Sequence, residues 1–321
     1  MNPIFDGLVS GDQYSSALLA CHKEEVDNFW SWWWRNHPKN QLDRTKTVQD
    51  GDDWLVPTHQ CRILNTESHS EFFSDHLIRA LTAPCMPRGD KVPRAHFREG
   101  IVKYLSGLGV AQNSRVVVFA GGGYGTGKTT SLSFLAKANN LGIPLSSVLG
   151  VDHCKALIPE FDRLKAVGDG RASEVCQAES RLISELLFEN LVKSGLSFGW
   201  DSSMSDRAES SKRIIRASSA RYLLTLVAVY TTPEKAVIRA MERAQETRRF
   251  AHPDHFHPSA QNFWKNFAEY VPEFDKVFVI DNSEDWIRGS PTEPIIIAEK
   301  HRKEDLLNVL DSAKFERIPI L

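Results

Sequence analysis

One stretch of the chain has residue types and spacing suited to holding a phosphate. Gly122, Gly123, Tyr124, Gly125, Thr126, Gly127, Lys128 and Thr129 satisfy GxxxxGK[ST] at every fixed position. Glycines let the backbone curl until several N–H groups point at one phosphate, and a helix starting there adds the positive end of its dipole. Lys128 would reach the β- and γ-phosphates of a nucleotide, and the Thr129 hydroxyl would ligate Mg²⁺. Thr130 completes the expected nucleotide-binding set. The alternative is a plain glycine turn between a strand and a helix, which Lys followed by Thr at this place disfavours. ATP and Mg²⁺ are the expected cofactors.

The use made of the phosphate must come from other residues. Base-reading signatures of the NKxD type are absent, which disfavours a GTPase switch, and no motor or transporter ATPase pattern is apparent. A carboxylate soon after the glycine-rich loop and arginines late in the chain suggest a small-molecule kinase. Phosphoryl transfer needs a group that orients an acceptor hydroxyl and cations that neutralise the moving phosphoryl. Asp152 stands at the carboxyl end of the second predicted strand, where parallel sheets bind ligands. A helix N-cap is its competing reading. Asp201, Ser202 and Ser203 end the third strand; Asp201 could hold a Mg²⁺ water shell, or the triplet could be a strand-end turn. Arg239, Arg243, Arg248 and Arg249 follow the longest strand, the first two on one helix face. From Asp206 to Arg249 ten Lys and Arg face five Asp and Glu, a local +5 in a chain of net charge -2. A solvated helix face explains those charges nearly as well.

With these residues in place the chain resembles the zeta-toxin family of P-loop kinases. Asp152, Lys155 and Pro159 reproduce the family's spacing after its second strand, and the resemblance implies that Asp152 is the general base and that Lys155 meets the substrate. The family often carries a second Asp where Gly150 stands here. Asp201 and Ser203 fit an acidic-Gly-Thr triplet that touches the acceptor, with Ser202 in place of the glycine. An arginine on the late helix and one in a following Gly-Arg pair correspond to Arg243 and Arg249, the expected phosphate clamps, with Arg239 beside them on the substrate side. The resemblance spans roughly residues 114–285. It implies ATP-dependent phosphorylation of a sugar hydroxyl on a nucleotide-type metabolite. UDP-N-acetylglucosamine is the usual acceptor, and NAD is the acceptor in a related branch of bacterial effectors. It also implies a small helical antitoxin or chaperone as partner, and toxin or effector action. Two other classes stay open: an ATPase switch working through partner binding, and a polynucleotide 5′-hydroxyl kinase. The latter needs a basic groove, which a net charge of -2 disfavours, so nucleic acid is not the expected partner.

The elements that must position these residues alternate from about residue 114. Residues 115–120 form a continuous apolar run, the mark of a strand buried on both faces. Further strands are predicted at 147–151, 196–201, 221–230 and 276–281. Helices are predicted at 129–138, 174–193 and 206–217, and from Pro233. This is a mostly parallel sheet flanked by helices, an α/β fold of P-loop NTPase type. Residues 294–298 and 302–313 read as an edge strand and a closing helix. Residues 1–110 read as a mostly helical extension, with helices at 14–36, 71–82 and 96–108, ahead of a kinase domain at 111–321.

Composition narrows the rest. The chain has 321 residues, 41% hydrophobic and 25% charged, which excludes disordered and coiled-coil classes. Five scattered cysteines without a CxxC pair fit free thiols in a reducing compartment. No apolar stretch approaches the ~20 residues of a membrane span. No Sec-type leader is visible in residues 1–10, so the expected site is the cytoplasm or, by another route, a host cell. His252, His255 and His257 make an HxxHxH run that reads as a polar loop between Pro253 and Pro258 rather than a metal site. Five of the eight tryptophans lie between Trp30 and Trp54 and read as an aromatic helix face.

Overall fold

The structure, a computed structural model, describes residues 63–65, 91–166, 172–247, 256–284, 286–287, 290–291 and 293–319. The predicted helices at 14–36 and 71–82, the tryptophans from Trp30 to Trp54, and Arg248, Arg249, His252 and His255 lie outside them.

A short antiparallel pair, β1 (Ile63–Asn65) and β2 (Lys91–Pro93), leads into α1 (Arg94–Ser106). The main body is β3 (Val116–Gly121), α2 (Lys128–Lys137), β4 (Val148–Gly150), α3 (Val151–Lys155), α4 (Pro159–Ala166), α5 (Ala172–Lys193), β5 (Phe198–Asp201), α6 (Arg207–Ser219), β6 (Leu223–Tyr230), α7 (Pro233–Thr247), α8 (Phe256–Tyr270) and β7 (Lys276–Asp281). A second short pair, β8 (Trp286–Ile287) and β9 (Ser290–Pro291), precedes β10 (Ile295–Lys300), β11 (Asn308–Val309) and α9 (Ser312–Phe315).

The large sheet has seven strands in the order β11-β10-β7-β6-β3-β5-β4. From β4 to β7 it is parallel, and β10 and β11 close one side antiparallel. The central strand β3 explains why both faces must be covered. Side chains alternate along a strand, so Val117 and Phe119 enter one apolar cluster and Val118 and Ala120 enter the other. One layer packs the aromatic rings of Phe188, Phe198 and Trp200 edge to face, with Phe119 tilted against Phe188 and edge-on to Phe274. The other layer is the smaller core under α2, with Leu132 and Leu135. After β3 the chain steps outward to β4, returns to β5, and then crosses to β6 on the opposite side. The carboxyl ends of β3, β5 and β6 therefore surround a topological switch point, the place where open α/β sheets bind ligands.

Local signals end the elements where expected. Asp206 caps α6, its carboxylate accepting from the Glu209 amide at 3.0 Å, and Pro233 opens α7. The helix expected at 96–108 spans Arg94–Ser106, and its Phe97, Ile101 and Leu105 are buried in the same core as the sheet. Two readings are corrected. No closing helix forms at 302–313. The Asp305 amide donates to the Arg302 carbonyl in a turn, Asn308–Val309 pairs with β10, and a helix begins only at Ser312, where Asp311 caps it. Finally, Pro258 lies in the first turn of α8, where its missing N–H costs nothing.

Candidate phosphoryl-transfer site

The glycine-rich loop leaves β3 and enters α2. Gly122, Gly125 and Gly127 have φ of 138°, 71° and 83°, values that L side chains avoid. Crowding adds a second reason at Gly125, where a Cβ would strike the Ala236 carbonyl of α7. The loop is braced on three sides. The Tyr124 amide donates to Ser259 Oγ of α8 at 3.4 Å, the Thr126 hydroxyl donates to the Gly123 carbonyl at 3.0 Å, and Asn282 Nδ2, just past β7, donates to the Thr126 carbonyl at 2.8 Å. Lys128 opens α2. Its ammonium folds over the loop, donating to the Gly122 and Gly123 carbonyls at 3.3 and 3.2 Å, and lies 3.8 Å from Asp201. Thr129 and Thr130 are exposed at the first turn of the helix.

Asp201 ends β5, directly beside Ala120 of β3 and Gly150 of β4. Burial pushes its carboxyl above the ordinary range and Asp152 adds to the rise, while Lys128, His153 and Arg243 pull it back. Five groups thus share a field: two carboxylates, the loop lysine, a histidine and one late arginine. The departure at Gly150 has a steric reason. A Cβ there would strike the backbone oxygen of Asp201, so close approach of β4 and β5 leaves room for glycine alone.

Asp152 occupies the first turn of α3, with its side chain 51% exposed. The helix boundary residue is Gly150 and no side chain caps it, so the N-cap reading of Asp152 does not hold. Lys155 is buried; its ammonium donates to Gln177 Oε1 at 2.6 Å and stands 3.8 Å from Asp152. It is thus engaged with the carboxylate's own support instead of extending into open space. The Cys154 thiol beside them is pushed up to about 12 by burial, so it stays neutral and unreactive at neutral pH. The Ser203 carbonyl accepts from the Gly122 amide at 3.3 Å, and its hydroxyl pairs with Ser205 at 2.8 Å.

The two arginines of α7 differ in setting. Arg239 packs against the chain that follows β7: Nη1 donates to the Asn282 carbonyl at 2.9 Å and Nη2 to the Glu284 carbonyl at 3.3 Å. Arg243, one turn on, is exposed and within the field of Asp201. Sequence reasoning missed Asn282 and His153. Asn282 follows the carboxyl end of a parallel strand, a position that could have marked it.

Thr129 and Asp201 offer one hydroxyl and one carboxylate. Among the described residues no group of three or more His, Cys, Asp or Glu gathers to hold a metal. Such a sparse oxygen set suits Mg²⁺, which keeps waters and leans on substrate phosphates. No helix among the described residues is long and apolar enough to cross a membrane.

Residues 104–287, more than half of the chain, match the family model described as Zeta toxin. Among solved structures, the AvrRxo1-ORF1:AvrRxo1-ORF2 complex with sulphate ions is 17% identical, with a TM-score of 0.51 over 72% of this chain and 74% of that one. A chain of the PezAT chromosomal toxin–antitoxin system of Streptococcus pneumoniae is 16% identical, with a TM-score of 0.48 over 59% of this chain and 79% of that one. At these identities the likeness is one of fold. No curated protein matches the chain.

Proposed function

The chain belongs to the zeta toxin family, and we propose that it is a kinase that transfers the γ-phosphate of ATP to a sugar hydroxyl of a nucleotide-type metabolite. The observation that carries this reading is the glycine-rich loop with Lys128 3.8 Å from Asp201 at the carboxyl end of β5, and Asp152 in the first turn of the helix that follows the neighbouring strand β4. The loop amides and Lys128 hold the triphosphate, with Arg239 on the nucleotide side. Thr129 and Asp201 are the residues that would hold Mg²⁺, which shields phosphate charge when bound. Asp152 takes the proton of the acceptor hydroxyl as the new O–P bond forms and the bond to the β–γ bridging oxygen breaks. Arg243, with Arg249 as a further candidate, neutralises the moving phosphoryl, and Ser203 and Lys155 border the acceptor. UDP-N-acetylglucosamine and NAD are the two acceptors the family resemblance offers. Toxin or effector action follows if that metabolite is essential, and a small helical protein is the fitting inhibitor.

Expression in a bacterial host tests the reading. The wild type should arrest growth and accumulate one metabolite a phosphoryl group heavier than its precursor, and Lys128→Ala should do neither. Equal toxicity of the two without a phosphorylated metabolite would refute it.

A further inference from the structure

The best-buried charges among the described residues lie away from the loop. Arg94, the first residue of α1, is 1% exposed, and Glu179 of α5 is 0% exposed. The Arg94 guanidinium forks onto two carboxylates. Nη1 and Nη2 donate to Glu160 at 2.6 and 3.0 Å, and Nε and Nη2 donate to Glu179 at 2.8 and 2.6 Å. Arg98 adds a bond to Glu179 at 2.8 Å. Two arginines balance two glutamates. Arg94 stands ahead of the family-matched segment 104–287, whereas both of its partners lie inside it.

We propose that Arg94 is a positioning residue for the base segment. Glu160 is the second residue of α4, which follows directly on α3 and its Asp152. The same helix α5 that carries Glu179 also carries Gln177, which accepts from Lys155 of α3. Residues 151–166 are therefore tied to α5 at two points, once through Lys155 and once through the Arg94 fork. Cys154, Ile158 and Phe161 bury the segment in the core, but apolar contact is non-directional and does not set rotation. Two bidentate pairs do. Asp152 itself is half in solvent, so its direction depends on the helix beneath it. A cluster kept for stability alone has little rationale, because apolar residues of similar size often serve as well as a buried ion cluster. This inference rests on the reading of Asp152 as the base.

The test uses the full chain with Arg94, Glu160 and Glu179 changed together (Arg94→Met, Glu160→Leu, Glu179→Leu), which removes the three best-buried charges of the cluster and leaves of it only Arg98, whose side chain reaches solvent. The single variant Arg94→Lys keeps the charge and loses the fork; it decides the matter if the triple variant does not fold. Three quantities are read: amide hydrogen exchange in 151–166 against 128–137, affinity for ATP, and label transfer from γ-labelled ATP in a bacterial metabolite extract. The triple variant should exchange about 10-fold faster or more in 151–166 alone, bind ATP unchanged, and lose roughly 10- to 100-fold in kcat at constant KM for ATP, the size expected for ~1 Å of misplacement. Arg94→Lys should shift both readouts in the same direction by less. Wild-type exchange in 151–166, or faster exchange with wild-type kcat, overturns the proposal. Absence of transfer by the wild type would instead remove the kinase reading, and the positioning role with it, while the exchange result still reports whether the cluster holds the segment.

Discussion

The two sides of the site are made of different material. The phosphate side is backbone: a loop with three positive-φ glycines, clamped by α7, α8 and Asn282, whose N–H groups need no particular side chain to face a phosphate. The proposed acceptor side is made of side chains carried on a five-residue helix, a strand end and one exposed arginine. A backbone cradle is preorganised by its own covalent geometry. A side-chain constellation is only as precise as the elements beneath it, and here those elements are tied together by buried hydrogen bonds remote from the chemistry. Nucleotide binding and transfer should therefore be separable.

The largest expected effect is on the phosphate side. Lys128→Ala should reduce transfer to background and weaken ATP binding, while thermal unfolding falls only modestly, because the ammonium braces the Gly122 and Gly123 carbonyls and Asp201 but lies outside both apolar clusters. Undiminished transfer in this variant would break the comparison at its stronger half. Next comes Asp152→Asn, which preserves volume but removes the proton acceptor. Transfer should fall by ~10²–10⁴-fold, with ATP affinity by titration unchanged. A parallel loss of affinity in the presence of Mg²⁺ would move Asp152 to the phosphate side.

Gly150→Ala should act through the sheet. Its Cβ would force β4 away from the Asp201 carbonyl, and a forced backbone shift of this kind costs ~1–3 kcal/mol. A denaturant midpoint lowered accordingly, together with reduced transfer, is the expected result. An unchanged midpoint would show that β4 and β5 can part freely.

The smallest effect concerns Asp201. Burial raises its carboxyl above the unfolded value, so the folded protein binds the extra proton. Its contribution is then most favourable below the ordinary carboxylate range and is lost as pH rises through the raised value. At neutral pH Asp201→Asn should raise the Tm of the nucleotide-free protein. The same variant should lose transfer, a site residue held at a cost to stability. A lowered Tm would mean that the Lys128 pair outweighs the burial.

The split between backbone and side chains also decided what was legible from sequence. The loop and the buried strand before it are contiguous patterns, and strands 116–121, 223–230 and 276–281 fall close to where apolar runs place them. Asp152 and Asp201 were legible as candidates because each stands at or just beyond the carboxyl end of its strand. Asn282 was passed over although it follows a strand end, because its partner, the Thr126 carbonyl, lies 156 residues away and no local pattern links the two. Arg94, Glu160 and Glu179 carried no signal, since pairs 66 and 85 residues apart leave no periodicity. The expected closing helix failed for the opposite reason: Leu306, Leu307 and Leu310 suggest a helical stripe, yet pairing with β10 satisfies the backbone first.

The central claim is transfer to an acceptor, and one measurement addresses it directly: purified protein, γ-labelled ATP and a metabolite extract, with the fate of the label followed by mass. The account predicts that the wild type places the label on a small nucleotide-type metabolite, one phosphoryl group heavier than its precursor, and that Asp152→Asn binds ATP yet leaves that metabolite unlabelled. Label released only as inorganic phosphate would contradict it and make the protein an ATPase switch.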